Sequence, residues 1–185
     1  MTHISRPARA LLLLACLGLG AAACGSAASG SANSGSAAKG SSAAKGGSWP
    51  PSPAGTWGVE PKVVVPASAP PTKLVVENLI NGTGALAKDG DELSVKYVGV
   101  SYASKAVFSQ SWEPYQPFSF VLGMHEVIAG WDQGLVGMRA GGRRELIIPA
   151  ALAYGAAPPA GSGIAPNASL IFIVDLLKVQ PAAQG

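Results

Sequence analysis

The chain of 185 residues has very little cysteine and histidine. His3, Cys16 and Cys24 all lie within the first 24 residues. The rest of the chain therefore contains no thiol, and His125 is its single histidine. That scarcity excludes a Cys/His zinc site, a cysteine nucleophile and a disulfide framework there, and any catalytic triad would have to use His125. We expect a function that needs no metal, no cofactor and no covalent intermediate.

Charged residues are also scarce, at 12% of the chain, and the formal net charge is only +3. Part of the basic excess comes from Arg6 and Arg9 near the N-terminus. Between Lys73 and Gln180 there are 8 basic and 9 acidic residues, so this region is nearly neutral. A protein that neutralises many phosphates needs a concentrated positive face, so the sequence excludes a nucleic-acid partner.

The N-terminal hydrophobic run is too short to span a bilayer comfortably. Arg6 and Arg9 precede an apolar stretch of 14 residues, Ala10 to Ala23, and this order predicts a secretory signal peptide over residues 1–23. The following Cys24 completes a segment that resembles the lipobox of bacterial lipoproteins, in which the cysteine becomes the lipidated first residue. Cys16 ends a competing lipobox, but cleavage there would leave too short an apolar region. Cys24 is therefore the predicted lipidation site, with secretion without a lipid as the alternative.

A lipid on Cys24 would anchor the protein to the outer face of the bacterial cytoplasmic membrane. Residues 24–72 are predicted to form a disordered linker. Gly, Ser and Ala make up 21 of the 24 residues from 25 to 48, and such a composition cannot bury a core. Residues 49–72 hold 7 of the 15 prolines, which makes this part stiffer and more extended. Its Val63-Val64-Val65 run predicts an edge strand.

Aromatic residues are concentrated after this linker. All four Phe and all four Tyr fall between Lys73 and Gln180, so residues 73–180 are predicted to form the folded domain, followed by a tail at 181–185. Leu93, Val95 and Tyr97 alternate with less apolar residues, which predicts a strand. Two further Ile- and Val-rich segments are also predicted strands; they are Leu146 to Ile148 and Leu170 to Val179.

One segment has helical spacing instead. Ile128, Trp131, Leu135 and Met138 are separated by three, four and three positions, which places them on one face of a short helix. Several strands and one amphipathic helix predict an α+β domain in which the sheet covers the helix.

The motifs of this domain resemble the FK506-binding-protein (FKBP) class of peptidyl-prolyl cis-trans isomerases. The similarity covers about Lys73 to Val179 and rests on several separated motifs: Lys96-Tyr97-Val98-Gly99, Pro117 to Gly123, Glu126 to Trp131, Gly141-Gly142-Arg143-Arg144 and Leu152-Ala153-Tyr154-Gly155. The resemblance implies a monomeric half-barrel of antiparallel strands wrapped around one short helix. It also implies isomerisation of Xaa-Pro bonds, proline-containing polypeptide clients and affinity for macrolides of the FK506 type.

The resemblance implies a dry aromatic pocket as the catalytic site. Its residues would be Tyr97, Phe108, Phe118, Val127, Ile128, Trp131, Tyr154 and Phe172, with Glu126, Ile164 and Ser109 also contacting the substrate. Trp131 would form the floor under the proline ring. The Ile128 N–H and the Tyr154 hydroxyl would hold substrate carbonyls, and Glu126 would offer a backbone carbonyl at the rim.

Ser109 departs from the family pattern. The family typically carries an aspartate at this position, with its carboxylate facing the pocket, whereas a serine hydroxyl is neutral. Weaker catalysis or weaker macrolide binding would follow. An alternative function therefore stays open, in which the same pocket holds proline-containing segments as a binding or chaperone module with little catalysis.

Several charged residues are interpreted without a catalytic role. Arg143-Arg144, which follow two glycines, are predicted to form an exposed turn that enters a strand. Glu126 is interpreted as a charge near the helix N-terminus and Asp132 as a solvated helical residue. His125 is predicted to be a loop residue that faces solvent.

Overall fold

An antiparallel sheet of six strands and one short α-helix make up the domain in the computed structural model, which describes residues 50–113 and 116–182. In chain order the elements are β1 Val75–Ile80, β2 Glu92–Ser101, β3 Val107–Gln110, β4 Phe118–Val121, α1 Ala129–Leu135, β5 Arg143–Ile148 and β6 Leu170–Gln180. The sheet order is β1-β5-β6-β2-β3, and β4 also pairs with β2. Across the described ranges, no helix is long and apolar enough to cross a membrane.

The long pairing of β2 with β6 forms the centre of the sheet. The other edge of β2 pairs with β4 along the first part of the strand and with β3 along the second part, so β2 has two short partners on that side. Side chains of β2 alternate between the faces: Leu93 and Val95 belong to the main core, whereas Val98 and Val100 lie on the outer face. The strand predicted from this alternation is confirmed.

Helix α1 lies against the inner face of the sheet and is only seven residues long. A helix this short is not stable by itself in water, so packing must hold it in place. Gly130 and Gly134 make the close approach to β5 possible, since a Cβ on Gly134 would lie 2.7 Å from Leu146 Cδ2 and one on Gly130 would collide with Ile148. The predicted α+β architecture, a sheet wrapped around one helix, is confirmed.

Residues 50–68, which we call the strap, cross the outer face of the sheet. Val63 and Val65 pack against the outer-face clusters built on Val98 and Val100 and on Ile147. The structure here differs from the sequence prediction, since this part of the proposed linker is packed against the domain. No strand forms at residues 63–65 either. The predicted signal peptide, Cys24 and the linker as far as residue 49 lie outside the described residues.

Arg143 and Arg144 lie inside strand β5, so the predicted exposed turn is wrong. Arg143 has no exposed surface and is directed toward the outer face, beneath the strap. It donates from Nε and Nη2 to the two carboxylate oxygens of Asp175, over 2.5 and 2.7 Å. It also donates to the carbonyl oxygens of Ala54 and Val59 in the strap, over 2.8 and 2.7 Å. A buried charge needs such partners, and the strap supplies part of them.

A second polar contact joins the strap to β5. The Ser52 N–H donates to Glu145 Oε2 over 3.0 Å, and the Ser52 hydroxyl donates to the other carboxylate oxygen. Ser52 Oγ in turn accepts from the Val64 N–H over 2.9 Å. Burial raises the pKa of the Glu145 carboxyl, and the nearby Glu77 carboxylate adds to the rise, while the bonds from Ser52 oppose it.

Replacing Glu145 is expected to change how stability depends on pH. Because its pKa is raised in the folded state, Glu145 stabilises the fold below the pKa of the unfolded chain, and this contribution is lost as the pH rises through the folded value. Glu145→Gln removes the titration. We expect the free energy of unfolding, measured by urea denaturation between pH 4 and 7, to fall less with rising pH in this variant than in the wild type.

The matched control is Glu60→Gln, the same substitution at an exposed carboxylate of the strap, and the difference between the two variants isolates the contribution of the buried Glu145. An identical pH slope for Glu145→Gln and the wild type would contradict the assignment.

Candidate active site

A cavity of about 60 Å³ opens on the inner side of the sheet, at the N-terminal end of α1. Strands β2, β3, β4 and β6, the start of the helix and the segment after β5 all contribute side chains to it. The lining residues are Tyr97, Phe108, Ser109, Phe118, Val127, Ile128, Trp131, Tyr154 and Phe172. The structure thus brings together all eight residues that the resemblance implies for catalysis, and it adds Ser109 to the same wall.

Trp131 lies at the centre of this wall and is only 4% exposed. Its ring centroid is 5.2 Å from those of Tyr97 and Phe172, with interplanar angles of 83° and 89°. Phe118 approaches it edge-on as well, at 6.2 Å. Edge-to-face pairs of this kind are favourable beyond the area that they bury. The indole is therefore fixed from several sides and forms a rigid floor.

Phe120 packs against Trp131 and supports this floor, although it was not among the residues predicted for the pocket. It is 3% exposed, and its ring lies 5.6 Å from that of Trp131. Its ring also stacks on Phe118 at 5.7 Å, two positions earlier on the same face of β4. Strand alternation in Phe118-Ser119-Phe120 is the signal that could have identified it.

Few polar groups face the cavity. The hydroxyls of Tyr97 and Ser109 form a hydrogen bond of 2.9 Å. Burial raises the pKa of the Tyr154 hydroxyl, with a further contribution from Tyr97. Neither this hydroxyl nor the N–H of Ile128 has a hydrogen bond to any part of the chain that the structure describes. The cavity therefore has an uncharged wall with two groups available to bind a carbonyl oxygen.

Glu126 and Ile164 do not belong to the cavity wall. Glu126 is exposed, and its Oε2 accepts from the Val121 N–H over 2.9 Å, so its side chain fastens the turn after β4. Ile164 is 8% exposed and is part of the main core.

Asp132 follows Trp131 in the helix and is buried, so its interpretation as a solvated residue is wrong. Its Oδ1 accepts from the Gly123 N–H over 3.0 Å, and Oδ2 lies 3.4 Å from Nδ1 of His125. The Glu126 and Asp132 carboxylates thus both bind backbone N–H groups, at the end of β4 and in the turn that follows it. The His125 side chain is 89% exposed, in agreement with the prediction. No grouping of His, Cys, Asp and Glu within residues 50–113 and 116–182 could hold a metal ion.

Comparison with known proteins gives the same family from sequence and from structure. Residues 84–177 match the model of the FKBP-type peptidyl-prolyl cis-trans isomerases. The FK506-binding protein of Streptomyces anulatus is 47% identical over 120 residues, which cover 65% of this chain and 97% of that protein. The probable FK506-binding protein of Corynebacterium glutamicum is 41% identical over 120 residues, which cover 64% of this chain and 98% of the relative.

Solved structures agree with this result. The crystal structure of AtFKBP13 aligns with a TM-score of 0.53 at 33% identity, over 60% of this chain and 96% of that one. The crystal structure of FkpA from Escherichia coli gives a TM-score of 0.53 at 41% identity, over 60% of this chain and 50% of that one. With the family model, the two bacterial relatives and the antiparallel sheet around one helix all in agreement, the chain belongs to the FKBP-type peptidyl-prolyl cis-trans isomerase family.

Proposed function

We propose that the protein accelerates cis-trans isomerisation of Xaa-Pro bonds in exported polypeptides by binding the prolyl segment in the aromatic cavity. The observation that supports this most directly is the wall itself. It is apolar, uncharged and rigid, and it presents two unused hydrogen-bonding groups at Ile128 and Tyr154. Members of its family are peptidyl-prolyl cis-trans isomerases, which agrees with this proposal.

The chemistry needs no bond to be broken. Resonance gives the amide partial double-bond character, and rotation meets a barrier of roughly 18–20 kcal/mol. A planar amide is more dipolar than a twisted one, so it loses more when it leaves water for an apolar cavity. A preference of about 4 kcal/mol for the twisted form would accelerate rotation about a thousandfold. General acid–base groups are not required for this reaction.

The lining residues have distinct roles in this proposal. The proline ring rests on the indole of Trp131, between the rings of Tyr97 and Phe172. The Ile128 N–H and the Tyr154 hydroxyl donate to substrate carbonyl oxygens on either side of the proline, so the amide can rotate while its neighbours stay fixed. The relatives are named for binding FK506, and we expect the same cavity to take macrolides of this type.

Tyr154→Phe is the most direct test, because the substitution removes one hydroxyl and keeps the ring. We expect kcat/KM for a short Leu-Pro peptide to fall about 2- to 13-fold, which corresponds to one hydrogen bond of roughly 0.5–1.5 kcal/mol. The urea midpoint should stay unchanged. The assay follows cis-to-trans conversion with purified residues 25–185, with and without an FK506-type inhibitor. Trp131 is less suitable, since its replacement by Ala would cost about 3–5 kcal/mol of stability.

Tyr102→Phe is the matched control. The Tyr102 hydroxyl donates to the Ser68 carbonyl on the outer face, so its loss should lower stability slightly and leave the rate unchanged. An unchanged rate in folded Tyr154→Phe would contradict the proposed role of this hydroxyl. A folded wild-type protein that does not accelerate isomerisation would favour the alternative, a module that binds proline-containing segments.

Ser109→Asp tests the residue that keeps this alternative open. The carboxylate would accept from the Tyr97 hydroxyl, which already lies 2.9 Å from Ser109 Oγ, and would place a charge on the wall. Charge-assisted hydrogen bonds are about twice as strong as neutral ones. We therefore expect FK506 to bind the variant up to about tenfold more tightly, measured by displacement of a fluorescent macrolide. Ser119→Asp, at an exposed position of β4, is the control. Equal affinity of Ser109→Asp and the wild type would show that this position does not control macrolide binding.

We further propose that the protein is exported and anchored to the outer face of the cytoplasmic membrane through a lipid on Cys24. The signal-like segment of residues 1–23 and the lipobox support this proposal. In cells given a labelled fatty acid, we expect Cys24→Ser to abolish labelling and release the protein into the medium, while Cys16→Ser keeps the label. Loss of label in Cys16→Ser alone would move the anchor to the other cysteine, and no label in the wild type would favour plain secretion.

A further inference from the structure

A second cavity lies outside the aromatic cavity and shares no residue with it. It opens between the end of β1, the loop that follows α1 and the start of β5, and its volume is about 310 Å³. We call it the polar cleft, after its lining side chains Asn78, Asn81, Arg139 and Arg144 and the backbone of Gly82 and Gly142. A water molecule occupies about 30 Å³ in the liquid, so the space can hold a ligand of several heavy atoms.

Arg144 is the unusual residue of the polar cleft, because it is 7% exposed and has no carboxylate partner in the described chain. Its Nε donates to Asn78 Oδ1 over 2.8 Å. Its Nη1 donates to the carbonyl oxygens of Gly134 and Val136 over 2.7 and 3.1 Å, at the C-terminal end of the helix. All three acceptors are neutral. Burial lowers the pKa of this guanidinium.

The preceding residue provides a direct comparison. Arg143 is also buried, but its Nε and Nη2 both donate to the Asp175 carboxylate. In Arg144 the corresponding Nη2 makes no hydrogen bond within residues 50–113 and 116–182. One arginine of the pair is thus neutralised, and the other keeps two N–H donors without a partner.

Arg139 places a second cation at the polar cleft. It is exposed, its Nη1 donates to the Gly84 carbonyl over 3.1 Å, and none of the ion pairs among the described residues includes it. No aspartate or glutamate lines the polar cleft, so its lining carries two positive charges and no negative charge. Guanidinium groups bind phosphate and carboxylate through paired N–H donors, and this preference identifies the ligand chemistry.

We propose that the polar cleft binds an oxyanion, a phosphate or carboxylate group, between the free Nη2 edge of Arg144 and the guanidinium of Arg139. The ligand would supply the negative charge that Arg144 lacks. Since Arg144 also holds the last carbonyls of the helix, a bound anion would stabilise the fold as well. This site is separate from the aromatic cavity and does not depend on the proposed isomerase activity.

The test measures thermal unfolding of purified residues 25–185 with increasing inorganic phosphate, with chloride at equal ionic strength as the reference. We expect a saturable rise in Tm with phosphate, because a ligand that binds only the folded state stabilises it. In ¹H–¹⁵N spectra, the largest changes should fall on the amides of Gly82 and Gly142. Acetate in place of phosphate distinguishes the two ligand sources: a response to phosphate alone assigns a phosphate ligand, and a response to both extends the site to carboxylates.

Arg139→Gln is the informative variant, since Arg139 is exposed and its replacement leaves the helix contacts of Arg144 in place. We expect the phosphate concentration at half-saturation to rise at least tenfold. Lys178→Gln, which removes an exposed cation of β6 outside the polar cleft, should respond like the wild type. The proposal is overturned if phosphate and chloride give the same Tm, if Arg139→Gln binds phosphate as the wild type does, or if the spectral changes lie away from Gly82 and Gly142.

Discussion

The buried ion pair between Arg143 and Asp175 is the interaction on which the outer half of the structure depends. The two residues face each other across β5 and β6, and Arg143 has no exposed surface. A charge in that position is costly unless every donor finds an acceptor, and one carboxylate cannot satisfy a whole guanidinium. Carbonyl groups of the strap, at Ala54 and Val59, accept from two more of its N–H groups. The sheet and the strap are therefore one folding unit, although the strap contains no strand or helix.

The inner half depends on a different constraint, the short distance between the helix and the sheet. Gly130 and Gly134 allow the helix backbone to contact Ile148 and Leu146, and this contact sets the depth of Trp131 in the aromatic cavity. At the C-terminal end of the same helix, Arg144 binds the free carbonyls. The seven residues of α1 thus connect the aromatic cavity at one end of the helix with the polar cleft at the other.

Much of the fold and of the aromatic cavity could be predicted from the sequence. Alternation identified β2, and helical spacing identified α1, because these signals arise from neighbouring residues. The wall residues came from the resemblance, which carries information about distant contacts that local patterns do not contain. Ile164 shows the limit of this transfer, since its side chain belongs to the main core and does not line the cavity.

The failures share one physical cause, which is a partner that lies outside the local sequence pattern. Nothing near Arg143 indicates a carboxylate 32 positions later or carbonyl groups 84 and 89 positions earlier. Asp132 looked solvated for the same reason, because its acceptor role depends on the Gly123 N–H in the preceding turn. Proline content predicted a stiff, extended segment at residues 49–72, but composition does not show whether such a segment has a surface to dock on.

The position of the strap has a mechanical consequence. Its first docked residue, Ser52, is bound to the outer face, whereas the aromatic cavity opens on the inner face. A pulling force applied through the preceding chain would reach the two bonds from Ser52 to Glu145 first and the contacts of Arg143 next, before any strand of the sheet. The strap would therefore detach from the sheet one contact after another. The walls around Trp131 would keep their shape while the force acts on the strap.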